Sequence, residues 1–130
     1  MRGNDYFFHN NEKDNKQAQR FYQEATNIDK DYTMAHALLG FTYIFELLYE
    51  WSKSPLKSFE QAENCAQIAL CLNDSLDMAH LLSGWIYLFK RQHDKAIAEC
   101  QQAVELNPNS ATARTFYGLA LNLMGRFEEA

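Results

Sequence analysis

Apolar and polar residues follow the three- and four-residue spacing of amphipathic helices along most of this chain. Two stripes with this spacing are apolar throughout: Met34, Ala37, Phe41, Ile44 and Phe45 in one segment, and Met78, Leu81, Trp85, Leu88 and Phe89 in another. A third stripe, made of Thr112, Thr115, Leu119, Asn122 and Leu123, is mixed. The pattern predicts an all-α protein.

The helical segments recur at fixed intervals. The segment from Met34 to Tyr43 aligns with the segment from Met78 to Tyr87, and more weakly with residues 112–121. Glycines mark one series, at positions 40, 84 and 118, and alanines mark another, at positions 18, 62, 96 and 130. Both series step by 44 and then by 34 residues. Such internal repetition predicts an array of similar helical units.

A step of 34 residues that holds two helices resembles the tetratricopeptide repeat family, in which a small residue lets the first helix pack closely on the second. The resemblance is carried best by residues 77–110, through Gly84, Tyr87, Ala96, Ala103 and Pro108, with Cys100 in place of the usual aromatic residue. It implies a right-handed superhelix, or α-solenoid, of antiparallel helix-turn-helix repeats. It also implies a scaffold that binds other proteins and has no catalytic site.

The spacing divides the chain into a partial unit 1–32, a unit 33–76 with a ten-residue insertion, a unit 77–110 and a truncated unit 111–130. Gly40 and Ala62 are 22 residues apart, whereas Gly84 and Ala96 are 12 apart, so the insertion lies around residues 47–57. Ser54 and Pro55 then predict a helix start, because serine favours the N-cap and proline the first helical position.

The two ends of the chain predict incomplete units. A first helix is expected within residues 3–9 and a polar loop at 10–15. Residues 111–124 predict another first helix, Gly125 and Arg126 a turn, and residues 127–130 the start of a second helix. Because half a unit cannot cover the apolar face of its neighbour, the chain is predicted to be a piece of a longer array. The junctions at Asp29 and Asn73 lack the usual proline and are expected to be held by polar capping.

The opening of the chain also resembles a narrower group. Residues 2–8, a polar loop that contains Asn15, and then Ala18, Tyr22 and Ala25 are similar to the first unit of repeat regions appended to bacterial class III adenylate or guanylate cyclases, and to some transcriptional regulators and kinases. The resemblance implies a regulatory appendage. It brings no cyclase catalytic motif with it.

The net charge of the chain limits the kinds of molecule that it could bind. Seventeen acidic residues against twelve basic ones give a net charge of -5, the wrong sign for binding nucleic acid or an anionic membrane. No run of 18 apolar residues occurs, and a cytoplasmic location is expected. The three cysteines, Cys65, Cys71 and Cys100, show no C-x-x-C spacing and are predicted to be reduced core thiols. No cofactor or metal is expected.

The predicted binding surface is the concave groove that the first helices of stacked hairpins line. Its candidate residues are Met34, Ala37, Phe41, Phe45, Met78, Leu81, Trp85, Leu88 and Phe89. Apolar residues also occupy the positions at which some family members bind the C-terminal carboxylate of a peptide, which excludes that kind of ligand. An apolar or amphipathic helical segment fits instead, from a protein partner or from a second copy in a homodimer. The alternative is that these residues are core contacts between neighbouring hairpins.

Polar residues offer no catalytic constellation. His36 and His80 recur at matching points, but adjacent units would hold them about 10 Å apart, too far for one metal ion. They are predicted to be packed histidines that replace a large aromatic residue. His93 and His9 have no nucleophile at a recognisable spacing, and no phosphate-binding or hydrolase motif occurs. The chain is therefore predicted not to be an enzyme.

Overall fold

A computed structural model describes residues 11–129 of the chain, with side chains described for residues 11–126. This part holds six helices and no strand: α1 (Glu12–Ile28), α2 (Thr33–Leu48), α3 (Pro55–Leu72), α4 (Asp77–Phe89), α5 (His93–Leu106) and α6 (Ala111–Glu129). The first helix predicted within residues 3–9 lies outside the described residues. None of the described helices is long and apolar enough to cross a membrane.

Consecutive helices pack on one another as antiparallel hairpins. The pairs α2 with α3 and α4 with α5 form the two complete hairpins, and α1 and α6 pack at either side of them. Helices α2 and α4 also pack side by side, as do α4 and α6. Each helix therefore contacts mainly its neighbours in the chain, which is the layout of a helical repeat array. The predicted all-α solenoid is confirmed.

Glycine allows the close approach within each hairpin. A Cβ atom added at Gly84 would lie 2.7 Å from Cys100 Sγ and 3.2 Å from the carbonyl oxygen of Ala96 on α5. At Gly40 it would meet Leu82 and, at 3.1 Å, the Cβ atom of Cys65 on α3. Any larger residue at either position would force these neighbours to shift, so glycine allows the helices their close approach.

The ten-residue insertion is spread over both helices of its hairpin. Measured from the matching glycine, α2 runs three residues further than α4; measured to the matching alanine, α3 begins four residues earlier than α5. The connecting loop, residues 49–54, is three residues longer than residues 90–92. Pro55 stands at the start of α3 as predicted, although the Ser54 side chain makes no capping bond. The α2–α3 hairpin thus extends nearly one turn beyond the α4–α5 hairpin.

Both first helices end in the same backbone turn. Glu50 and Arg91 have φ angles of 59° and 62°. The next amides, of Trp51 and Gln92, donate to the carbonyls of Glu46 and Tyr87 at 2.8 and 3.0 Å. This is the six-to-one bond of a Schellman motif, in which glycine is the preferred residue at the left-handed position.

Replacing Glu50 by glycine should stabilise the protein. A left-handed conformation costs a residue with a Cβ atom about 1–2 kcal/mol, and glycine recovers part of this after its larger unfolded-state entropy is counted. We expect Glu50→Gly to raise the free energy of unfolding in urea by about 0.5–1 kcal/mol. Glu50→Ala is the matched control, because it removes the same side chain without freeing the backbone. Equal stabilities for the two variants would contradict the assignment of strain to this residue.

Helix α1 begins earlier than the sequence indicated. The predicted polar loop at residues 10–15 is wrong for its last part, since Asn11 is the N-cap of α1 and accepts a hydrogen bond from the Asp14 amide at 2.9 Å. Asn15 is buried inside the helix, where its side-chain amide donates to the carbonyl of Thr42 at 3.0 Å. A tertiary hydrogen bond therefore places an asparagine in a helix that its local preference disfavours.

The junctions between hairpins are held as predicted, by polar side chains. Asp29 and Asn73 each accept a hydrogen bond from the amide two residues later, at 3.1 and 3.0 Å. Such Asx turns redirect the chain without proline.

A second bond closes each junction from the helix that follows it. The carbonyls of Lys30, Asp74 and Pro108 accept hydrogen bonds from the side chains six residues later, which are His36, His80 and Arg114. The histidines are half-buried, and His80 also contacts Glu99. A ring nitrogen of each histidine thus donates to the same carbonyl position that an arginine serves at the third junction.

Helix α6 continues where a turn was predicted. Gly125 and Arg126 lie within the helix, and no described glycine has a positive φ. A Cβ atom at Gly125 would meet nothing within 4 Å. Turning would break backbone hydrogen bonds, and no described helix packs beside Gly125 to offset that loss, so the helix continues.

Candidate functional site

The predicted groove residues lie on α2 and α4, and most of them are inside the core. Seven are buried: Ala37, Phe41, Phe45, Met78, Leu81, Trp85 and Leu88. Met34 and Phe89 are half-buried at the edge of the same core. These side chains are contacts between hairpins in the described fold, and a ligand that reached them would have to displace part of the chain.

Phe116 of α6 covers three of the predicted groove residues. Together they form an aromatic cluster, which we define as Phe41, Phe45, Trp85 and Phe116. The Phe116 ring of α6 lies 5.1 Å from the Phe41 ring, 6.2 Å from Phe45 and 6.0 Å from Trp85, the last edge-on. These distances are typical of favourable aromatic pairs. The cluster ties α2, α4 and α6 together. Sequence spacing missed Phe116, because it does not fall on the mixed stripe of α6.

One polar atom in the cluster has no partner. Trp85 is 1% exposed, and its indole Nε1 is buried without a hydrogen-bond acceptor. Buried indole N–H groups usually find a partner, and leaving one unmade costs about 1–3 kcal/mol. The centre of the cluster is therefore well packed, but the indole N–H of Trp85 lacks a hydrogen bond.

The mixed stripe on α6 is more exposed than the apolar stripes on α2 and α4. Leu119 stands where Phe41 and Trp85 stand in the earlier units, yet it is 45% exposed. Thr115 and Asn122 beside it are exposed as well. A Cβ atom at Gly118 would meet nothing within 4 Å, whereas the matching Gly40 and Gly84 are covered by α3 and α5. Helix α6 thus presents the surface that a helix covers in the two complete hairpins.

A separate polar cleft lies between α1, α2 and α3. Its volume is about 680 Å³, within the range of pockets that hold ligands. Lys16, Gln19 and Gln23 of α1 form one wall, and Lys57 and Gln61 of α3 form the other. Tyr43 and Glu46 of α2 contribute to the lining, and Trp51, Ser52 and Lys53 of the long loop close one end.

The base of the cleft is a hydrogen-bonded network around Glu46, whose side chain is buried. Its carboxylate accepts from Ser58 Oγ at 2.9 Å and from Gln19 Nε2 at 3.2 Å, and Lys16 Nζ lies 3.8 Å away. The hydroxyl of Ser52 is 2.6 Å from that of Ser58. Two hydrogen bonds and the Lys16 ion pair therefore stabilise the charge of this carboxylate within the protein.

No local sequence pattern predicts this cleft. Lys16, Gln19 and Gln23 do fall on one face of α1, at intervals of three and four residues, and Lys57 and Gln61 do so on α3. Read locally, such polar stripes indicate solvated helix surfaces. Only the packing of both helices against α2, with the insertion loop across the end, brings the two stripes together.

The cysteines offer no reactive centre in the core. Burial raises the pKa of Cys65 and of Cys100 to about 12, so both remain protonated thiols at neutral pH. Cys71, predicted to be a core thiol, is exposed near the end of α3 instead. Among residues 11–126, no three histidine, cysteine or acidic side chains cluster as metal ligands would.

Comparison with known proteins agrees with the geometry of the α4–α5 hairpin. No curated protein shows significant similarity to the chain. A protein-family model described as tetratricopeptide repeat matches residues 79–110. The matched span runs from the first turn of α4 to the junction before α6, so this hairpin is similar to a tetratricopeptide repeat.

Proposed function

We propose that this chain is a non-catalytic scaffold for protein–protein interaction. Tetratricopeptide repeats generally mediate such interactions, and residues 79–110 match that family. A stack of hairpins presents continuous surfaces formed by several helices, which suits the recognition of a protein segment. A cytoplasmic location is part of this proposal.

The ligand we propose is an apolar or amphipathic helical segment, bound at the α6 end of the concave face. The observation that supports this most is the open position of Leu119 and Gly118. Matching positions in the two earlier units are covered by helices of the chain itself. A helix from a partner could bury Leu119 as its equivalents Phe41 and Trp85 are buried, using anchors at helical spacing.

Selection from a helix-biased peptide library displayed against the immobilised chain would test this. We expect enrichment of amphipathic sequences whose binding is lost in Leu119→Glu, because a charge in a desolvated contact opposes binding. Leu56→Glu is the matched control, since Leu56 is also exposed but lies at the start of α3. Enriched peptides that bind all three proteins equally would contradict the proposed surface.

A second proposal is a structural or regulatory appendage, attached to a nucleotide cyclase or a transcriptional regulator, that associates with itself. The burial of Phe41 and Trp85 by the chain's own Phe116 favours it, because the central groove is already filled. Sedimentation velocity over a hundredfold concentration range separates the two proposals. A dimer that dissociates in Leu119→Glu favours self-association, and a monomer throughout favours a foreign ligand.

A further inference from the structure

The polar cleft between α1 and α3 is lined by lysines that have no acidic partner. Lys53 and Lys57 line it and make no ion pair with a described residue, whereas Lys16 forms an ion pair with Glu46 at 3.8 Å. The acidic residues in the lining are Glu46, which is paired with Lys16, and Glu12, so the two remaining lysines face one remaining carboxylate. In a chain of net charge -5, this is a local excess of positive charge.

The rest of the lining suits a peptide backbone. The Gln61 amide can both donate and accept, and the amide oxygens of Gln19 and Gln23, whose NH2 groups already donate within the protein, can accept from the N–H groups of an extended segment. Trp51 is half-buried at the end of the cleft and is held by stacking on Tyr49, with ring centroids 4.9 Å apart. The network of Ser52, Ser58 and Glu46 fixes the base. The site is therefore largely preformed, which lowers the entropic cost of binding.

We propose that this cleft binds an acidic peptide segment of a partner protein, with Lys53 and Lys57 pairing to its carboxylates. Charge-assisted hydrogen bonds to carboxylates are stronger than neutral ones and set the preference for an acidic ligand. The cleft is formed by the ten-residue insertion, whose loop supplies Trp51, Ser52 and Lys53. The insertion thus adds a second binding surface, of opposite chemistry to the apolar α6 end.

This inference rests on the proposed protein-binding role of the chain only in taking the ligand to be a peptide. The location of the site rests on the cleft itself. The two proposals fail separately, because binding at the α6 end responds to Leu119→Glu and binding in the cleft responds to changes in its lysines.

The test uses two capped peptides, hexaglutamate and hexaglutamine, titrated into the ¹⁵N-labelled chain. We expect hexaglutamate to shift the Trp51 indole resonance and the amides of residues 51–58, and hexaglutamine to leave them unchanged. Raising the salt should weaken the effect, since charges are screened beyond about 8 Å at physiological ionic strength.

Two charge reversals locate the effect. Lys57→Glu should weaken hexaglutamate binding roughly three- to tenfold, because it replaces an attraction by a repulsion. Lys30→Glu changes the net charge equally but lies at the junction before α2, away from the cleft, and should leave affinity unchanged. Both residues are exposed, so both variants should fold, which circular dichroism checks. Equal loss in the two variants, equal binding of both peptides, or shifts mapped to α6 would each overturn the proposal.

Discussion

Trp85→Ala is expected to destabilise the fold by about 3–5 kcal/mol, the cost of removing a large buried aromatic side chain. The Trp85 ring is in edge contact with Phe116, in the cluster that joins α2, α4 and α6. Its removal leaves a cavity at the point where three helices meet. Urea unfolding followed by circular dichroism measures the loss.

Trp85→Phe is the informative companion to this variant. It keeps an aromatic ring and removes the indole N–H that has no acceptor. We expect it to cost at most about 1.5 kcal/mol, because the volume lost is offset in part by relief of the unpaired donor. A Phe variant as unstable as the Ala variant would show that the indole is better satisfied than the geometry indicates.

Gly84→Ala and Gly118→Ala should change stability in opposite directions. At Gly84 the new methyl group meets Cys100 Sγ and the α5 backbone, and overpacking should cost about 1–3 kcal/mol, less the helix preference of alanine. At Gly118 there is open space, so the same change should stabilise the chain by about 0.5–1 kcal/mol. Thermal or urea unfolding of the pair measures both.

The stabilities of the two variants can be compared directly because the two glycines hold matching positions in the repeat. Local helix propensity is therefore similar, and the difference isolates the packing of the second helix. If both variants were stabilised, the close contact between α4 and α5 would be looser than described. If both were destabilised, the α6 surface would already be covered in solution, for instance by a second copy of the chain.

Much of the fold could be predicted from the spacing of small residues. Steps of 44 and 34 residues placed the hairpins and located the insertion, because helix packing demands glycine and alanine at recurring points. The start of α1 was missed because Asn15 is stabilised by a distant carbonyl, that of Thr42. The continuation of α6 was missed because a turn at Gly125 depends on a packed partner as well as on the residue.

The binding surface could be predicted only in part. Apolar stripes on α2 and α4 were identified by spacing, and they do face a common interior. Whether such a stripe is open depends on how closely α6 approaches α2, and one phenylalanine at position 116 decides that here. The polar cleft depends on two helices separated by a third, so no local pattern indicates it. The use of these residues in binding stays a prediction.

The bonds that close the hairpin junctions affect how visible such repeats are in sequence. At all three junctions a main-chain carbonyl is the acceptor, whether the residue that bears it is lysine, aspartate or proline. The donor is histidine at the first two junctions and arginine at the third, so side-chain identity can change while the junction geometry persists. The matched unit, residues 79–110, is the one that retains both the uninterrupted spacing and Pro108. Side chains at matching junctions can therefore differ while hydrogen bonds to the backbone keep the geometry of the junction the same.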